Sequence, residues 1–260
     1  MFGSVRIARI AGIDLFVHWT LLLVVAWVGW TGYVHYPDGQ RWWGVLDGSL
    51  FVLAVFVCVA LHEYGHAIAA RGFGVPTRDI TLLPIGGIAR LEGMAKQPQA
   101  ELVIAIAGPL VNVAISVVLV PIALLVGWAA FEFPSQWSFS SFPLRLLLAN
   151  VILVVFNLLP AFPLDGGRVL RSLLRLFLSL ERATQWVVGL GAVMAVFLAL
   201  AAFFTGNAML FLIALFVFAA GQQEARAVQQ RQLGRFVFTP LTSDASPPWP
   251  PTEARNSENH

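Results

Sequence analysis

Leu46–Arg71 reads LDGSLFVLAVFVCVALHEYGHAIAAR, an apolar run interrupted near its end by His62-Glu63-Tyr64-Gly65-His66. A run of about 20 predominantly apolar residues is long enough to cross a bilayer as a helix. Two histidines four apart share one helix face, about 6 Å apart at the backbone, so their imidazoles can converge on one zinc ion. The glutamate between them can act as general base on a water that the ion polarises. A carboxylate near the middle of a membrane helix costs about 2.5–3.5 kcal/mol on insertion scales, so its presence asks for a function. The competing structural reading is a pair of helix-facing histidines hydrogen-bonded within a bundle.

The rest of the chain supplies that bundle. Hydrophobic residues make up 58% and charged residues 12% of its 260 positions, and the mean hydropathy is +0.77. Soluble domains run near 25% charged, so the composition is that of a polytopic membrane protein. Its single cysteine, Cys58, excludes an intrachain disulfide framework and reads as a small buried packing residue one turn before His62. Arg6 and Arg9 precede an apolar run that is a full span, without the small-residue exit of a signal peptide.

Six spans are predicted, at roughly 15–34, 46–71, 101–128, 144–159, 184–204 and 207–221, with a tight turn at Thr205-Gly206-Asn207 between the last two. Fourteen of the 16 basic residues fall on one side of this arrangement, and only Arg41 and Arg145 fall on the other. By the positive-inside rule the rich side is the cytoplasm, which puts both termini there in a multi-pass protein of the cell membrane. The fold class is therefore an α-helical polytopic membrane protein with six transmembrane helices. The expected units are a six-span domain over 1–221, a cytoplasmic juxtamembrane segment over 222–242 and a proline-rich, disordered tail over 243–260.

Between the second and third spans, residues 77–93 alternate branched residues around Gly86-Gly87, which predicts a small membrane-associated β-hairpin with a glycine turn. It is either a strand pair resting on the membrane surface or an inserted edge. In the second reading Gly86, Gly87 and Ile88 offer backbone hydrogen bonds to an extended peptide. Residues 168–182 place Arg168, Arg171, Ser172, Arg175, Ser179 and Arg182 in one stripe, read as an interfacial helix whose arginines face lipid.

Inside the apolar layer only Glu63 and Asp165 look deep. Asp165 ends Leu158-Leu159-Pro160-Ala161-Phe162-Pro163-Leu164-Asp165, where the prolines stop a helix and force an extended path, and Gly166-Gly167 then permits a sharp turn. Non-helical backbone at that depth is tolerated only when buried in protein or lining a wet cavity. Hydrolytic zinc needs three protein ligands and one open position. His18, His35 and His260 lie too far from the pair in the span map, so Asp165 is the candidate third ligand beside His62 and His66. Asn157 ends the fourth span beside the aspartate loop, and Asn112 lies in Gly108-Pro109-Leu110-Val111-Asn112. Either can hydrogen-bond a substrate backbone or serve as polar glue between helices, worth about 0.6 kcal/mol.

Taken together, His62-Glu63-Tyr64-Gly65-His66, Gly108-x-x-x-Asn112 and Asn157-x-x-Pro160-x-x-Pro163-Leu164-Asp165-Gly166-Gly167 resemble the site-2 protease family of intramembrane zinc metalloproteases. The resemblance covers roughly residues 5–225. It implies one zinc per chain on His62, His66 and Asp165, with Glu63 as catalytic base. It also implies that a transmembrane segment of another protein is cut after local unwinding, in regulated signalling. The partners it implies are a transmembrane protein substrate and the lipid bilayer, with no nucleic acid and no oligomeric state specified. The link between spans two and three is too short for the PDZ insertion of some relatives, and about 40 mostly polar residues stand where others carry CBS domains. The alternatives are a metal-binding membrane transporter and a catalytically inactive binder of transmembrane helices.

Overall fold

The structure is a computed structural model that describes residues 3–91, 93, 97–127 and 142–237. The chain enters through two strands, β1 (Ser4–Ile10) and β2 (Ile13–His18). Ala11 and Gly12 join them, both at positive φ, as a two-residue hairpin turn requires. Two helices follow, α1 (Thr20–His35) and α2 (Arg41–Gly72), then β3 (Thr77–Leu83) and β4 (Gly86–Leu91). Five further helices are described: α3 (Pro98–Gly127), α4 (Phe142–Asn157), α5 (Asp165–Leu174), α6 (Leu180–Thr205) and α7 (Ala208–Val237).

Among the described residues, four helices are long and apolar enough to cross a membrane: α2, α3, α6 and the Ala208–Gln230 part of α7. The apolar helices α1 and α4 are shorter, 16 residues each. The turn expected at 205–207 joins α6 to α7. Gly206 takes the left-handed conformation there, and Asn207 Oδ1 accepts from the N–H groups of Met209 and Leu210 to cap α7. That helix runs past residue 221 to Val237 without a break, and the tail over 243–260 lies outside the described residues.

The sheet corrects two expectations. It has four strands, in the order β1-β2-β3-β4, rather than two. Residues 13–18, of which 15–18 were expected to open the first span, form the strand that pairs in parallel with β3, Asp14 opposite Asp79 and Leu15 opposite Ile80. The physical reason is burial. Ile13, Leu15, Ile80 and Leu82 pack in one apolar cluster with Ala60, Tyr64 and Ala67 of α2, and Tyr64 donates from its hydroxyl to the Ile13 carbonyl at 3.3 Å. The turn of the β3–β4 hairpin is Pro84-Ile85, and the two glycines expected there instead begin β4, Leu83 pairing with Gly86.

A single interfacial helix over 168–182 is also corrected. α5 ends at Leu174, the chain turns, and Ser179 caps α6, its hydroxyl accepting from the Arg182 N–H at 3.4 Å. The six-residue stripe therefore never lies on one face, and Arg171 is buried rather than lipid-facing.

Acidic burial is wider than the sequence indicated, since Asp47, Asp79 and Glu101 are buried as well. Each has an arginine partner. Arg145 Nη2, at the start of α4, donates to both Asp47 carboxylate oxygens, at 2.7 and 2.9 Å. The Arg145 guanidinium lies over Phe51, 5.1 Å from the ring centroid. Asp47 is fully buried. Asp47→Ala is expected to lower stability by about 3–5 kcal/mol, because it removes the carboxylate from a buried ion pair. The check is the unfolding free energy in a detergent–denaturant titration; a loss under 1 kcal/mol would contradict it.

Candidate metal centre

Helix α2 has two working faces. Ala60, Tyr64 and Ala67 turn to the sheet, whereas His62 and His66 turn to α3 and the loop before α5. Both histidines are buried, with rings edge to face and centroids 4.7 Å apart. Their Nε2 atoms are 3.1 Å apart, and Asp165 Oδ2 lies 3.1 Å from each. The three donor atoms thus form a triangle of equal edges, joining residues about a hundred positions apart in sequence.

The surrounding backbone fixes this triangle. His66 Nδ1 donates to the Ile104 carbonyl of α3 at 2.7 Å, which leaves the lone pair on Nε2, facing Asp165. Gly108, one turn further along α3, lets the imidazoles rest directly on that helix. A Cβ there would collide with His66 Nε2 and lie 2.7 Å from His62 Nε2. Gly65 gives the same proximity from the other side, since its Cβ would meet the Ala107 carbonyl oxygen at 2.8 Å. Small residues let membrane helices approach this closely.

Asp165 arrives by a route the sequence described only in part. α4 ends at Asn157, the chain turns through 158–164, and Asp165 opens α5. Gly166 and Gly167 do not make the sharp turn expected of them. They are first-turn helix residues, and any Cβ on Gly166 would strike the carbonyl oxygens of Leu158 and Leu159. Their role is to let α5 close onto its own loop.

Three donors converging on one point repel unless a proton or cation lies between them. Tetrahedral zinc at 2.0–2.1 Å from each ligand would separate its donors by about 3.3 Å. The observed triangle fits, and His62, His66 and Asp165 are the one cluster of potential metal ligands among the described residues.

The remaining candidates surround this centre. Glu63 is half-buried, and a Cβ on Gly87 would lie 3.0 Å from its Oε1, so β4 passes directly against the glutamate. β4 is an edge strand, and Gly86 and Ile88 lie on the same edge. Asn112 is one turn beyond Gly108 and fully buried, with no hydrogen-bond partner for either amide atom. Asn157 is half-buried at the end of α4. Sequence reasoning missed Asn150, a buried amide on α4 that donates to Cys58 Sγ at 3.4 Å and has an unpartnered Oδ1. The signal was present: Asn150 and Asn157 are seven apart, hence on one helix face. It missed Arg171 too, whose acidic partners lie on other helices.

Known proteins resemble this chain in sequence and in fold. The sequence model described as "Peptidase family M50" matches residues 50–140 and 126–200. Zinc metalloprotease MJ0392 of Methanocaldococcus jannaschii is 35% identical over 227 residues, which cover 87% of this chain and 62% of that protein. The chain thus spans about three-fifths of the length of that relative. Among solved structures, "Site-2 Protease from Methanocaldococcus jannaschii" superimposes with a TM-score of 0.61 at 32% identity, covering 85% of this chain and 95% of that one.

Proposed function

Because the chain belongs to peptidase family M50, we propose that it is an intramembrane zinc metalloprotease, hydrolysing peptide bonds within or near transmembrane segments of other membrane proteins. The observation that carries this reading is the 3.1 Å triangle of His62, His66 and Asp165 with Glu63 adjacent in the chain to one of its corners. Those three side chains would hold one zinc ion. Zinc, when bound, supplies Lewis acidity that polarises a carbonyl and brings the pKa of a water to about 7. Glu63 takes the proton from the attacking water and returns it to the leaving amine. Asn112 and Asn157 donate to the substrate backbone, and the unpartnered amide of Asn112 suits that role better than glue between helices.

The edge of β4 receives the substrate. Gly86, Gly87 and Ile88 offer main-chain groups to an unwound segment, which adds to the sheet as a further strand. The absence of a side chain at Gly87 leaves Glu63 room beside that strand.

α1 and α4 join the four long helices to make six crossings of the cell membrane. Supporting this, β2 precedes α1, β3 follows α2, and the two strands pair side by side, so the chain returns to the side it left. The segregation of basic residues supports a cytoplasmic position for the sheet and both termini. The residues over 1–221 then form the protease domain, followed by a cytoplasmic juxtamembrane segment over 222–242. Membership of a peptidase family sets aside the transporter reading. Release of a membrane-held regulator is the setting this activity suits.

The test is a reconstitution. Purified protein in liposomes should carry about one zinc per chain and cut a co-reconstituted transmembrane substrate, with chelation stopping the cut and zinc restoring it. Asp165→Ala is expected to lose both metal and cutting. If that variant kept both, the ligand assignment would be wrong.

A further inference from the structure

Six residues beyond Asp165, α5 carries a second buried charge. Arg171 is 2% exposed. Its Nε donates to Glu101 Oε1 at 2.6 Å, and its Nη1 donates to Glu224 Oε1 at 2.5 Å. The second Glu101 oxygen accepts from Arg175 Nη1 at 2.6 Å. The guanidinium of Arg171 also stacks on Phe162, 4.9 Å from the ring centroid. Two cations and two carboxylates balance, and four elements meet at this cluster: α3 through Glu101, the loop before α5 through Phe162, α5 itself, and α7 through Glu224.

As a source of stability such a cluster is a poor device, since buried ion pairs often contribute no more than well-packed apolar replacements. As a source of fixed geometry it is effective, because a planar guanidinium with several partners has one arrangement that satisfies them all. Its location gives that rigidity a use. Glu101 precedes by one turn Ile104, whose carbonyl holds His66. Arg171 rides on the same ten-residue helix as Asp165 and presses on the loop that leads to it. The contacts close a ring that runs from His66 to Ile104, along α3 to Glu101, across to Arg171, along α5 to Asp165 and back to His66.

We propose that Arg171 is a positioning residue for the metal centre. It sets the Asp165 arm against the turn of α3 that orients His66, and through Glu224 it makes that register depend on the position of α7. The proposal rests on the zinc reading above for the identity of the ion. It departs from that reading in assigning control of the site to a cluster that touches neither metal nor substrate.

The experiment uses the full chain in detergent, with zinc affinity read by competition against a chromophoric chelator and site geometry read from the visible bands of the cobalt(II)-substituted protein. Glu224→Gln removes the partly exposed end of the cluster and leaves the Arg171–Glu101 contact intact. It should keep its helix content, bind zinc about tenfold more weakly and shift the cobalt bands. Arg171→Lys keeps the charge but not the fork, and should weaken zinc by about 10–100-fold, the range for partners that orient metal ligands. A folded Glu224→Gln protein with wild-type zinc affinity and an unchanged cobalt spectrum overturns the proposal, whatever Arg171→Lys does. Failure of the protease reading looks different: the wild type would bind zinc, respond to these variants as described, and cut nothing.

Discussion

Glu63→Gln should retain about one zinc per chain and lose substrate cutting by about 10²–10⁴-fold, the contribution expected of a general base. The substitution changes little but chemistry. Glutamine has nearly the same shape, so it fits the narrow space beside Gly87 that Glu63 occupies. Its amide cannot take a proton from water. None of the three donor atoms of the triangle belongs to residue 63, so zinc content should hold while the rate falls. Metal analysis and a cleavage assay on the same preparation give the two readouts. Retention of more than a tenth of wild-type activity would remove Glu63 from the role of base.

Gly108→Ala should have the opposite profile, losing the metal while the fold persists. A methyl group there points at both imidazoles and collides with His66 Nε2. Little around it can yield. The backbone of α3 is helical, His66 is tied by Nδ1 to Ile104 of the same helix, and His62 and His66 share one turn of α2. Alanine is the better helix former by about 1 kcal/mol, so local helix stability should not suffer. Zinc affinity is expected to drop by about 100-fold or more, comparable to the upper end for lost ligand-orienting contacts. Circular dichroism and metal content after gel filtration separate the two effects. Wild-type zinc content in this variant would mean that the imidazoles do not rest on α3.

The candidate metal centre was legible because its signals are local or chemically expensive. His62 and His66 are a fixed helical step apart, and Glu63 and Asp165 are carboxylates set among mostly apolar neighbours. Arg171 was not legible for the opposite reason. A helical wheel over 168–182 assumes one uninterrupted helix, and the chain breaks after Leu174. The acids that hold Arg171 are 70 and 53 positions away. The first strands were missed in the same way. Ile13 and Leu15 read as the edge of an apolar span until β3 and the sheet-facing side of α2 are there to cover them. Gly166 and Gly167 carry a related lesson: glycine was read as freedom to turn, whereas these two supply room for a carbonyl to approach.

The parallel pairing of β2 with β3 also sets an order of events during synthesis. Asp14 waits for Asp79, 65 positions later in the chain, and the α1–α2 hairpin lies between them. At about 5–20 residues per second, the ribosome needs roughly 3–13 s to deliver the partner. For that interval the β1–β2 hairpin presents an open edge, the kind of surface on which chains aggregate. The sheet that borders Glu63 is therefore closed only after its first two strands have waited for α1 and α2 to be made.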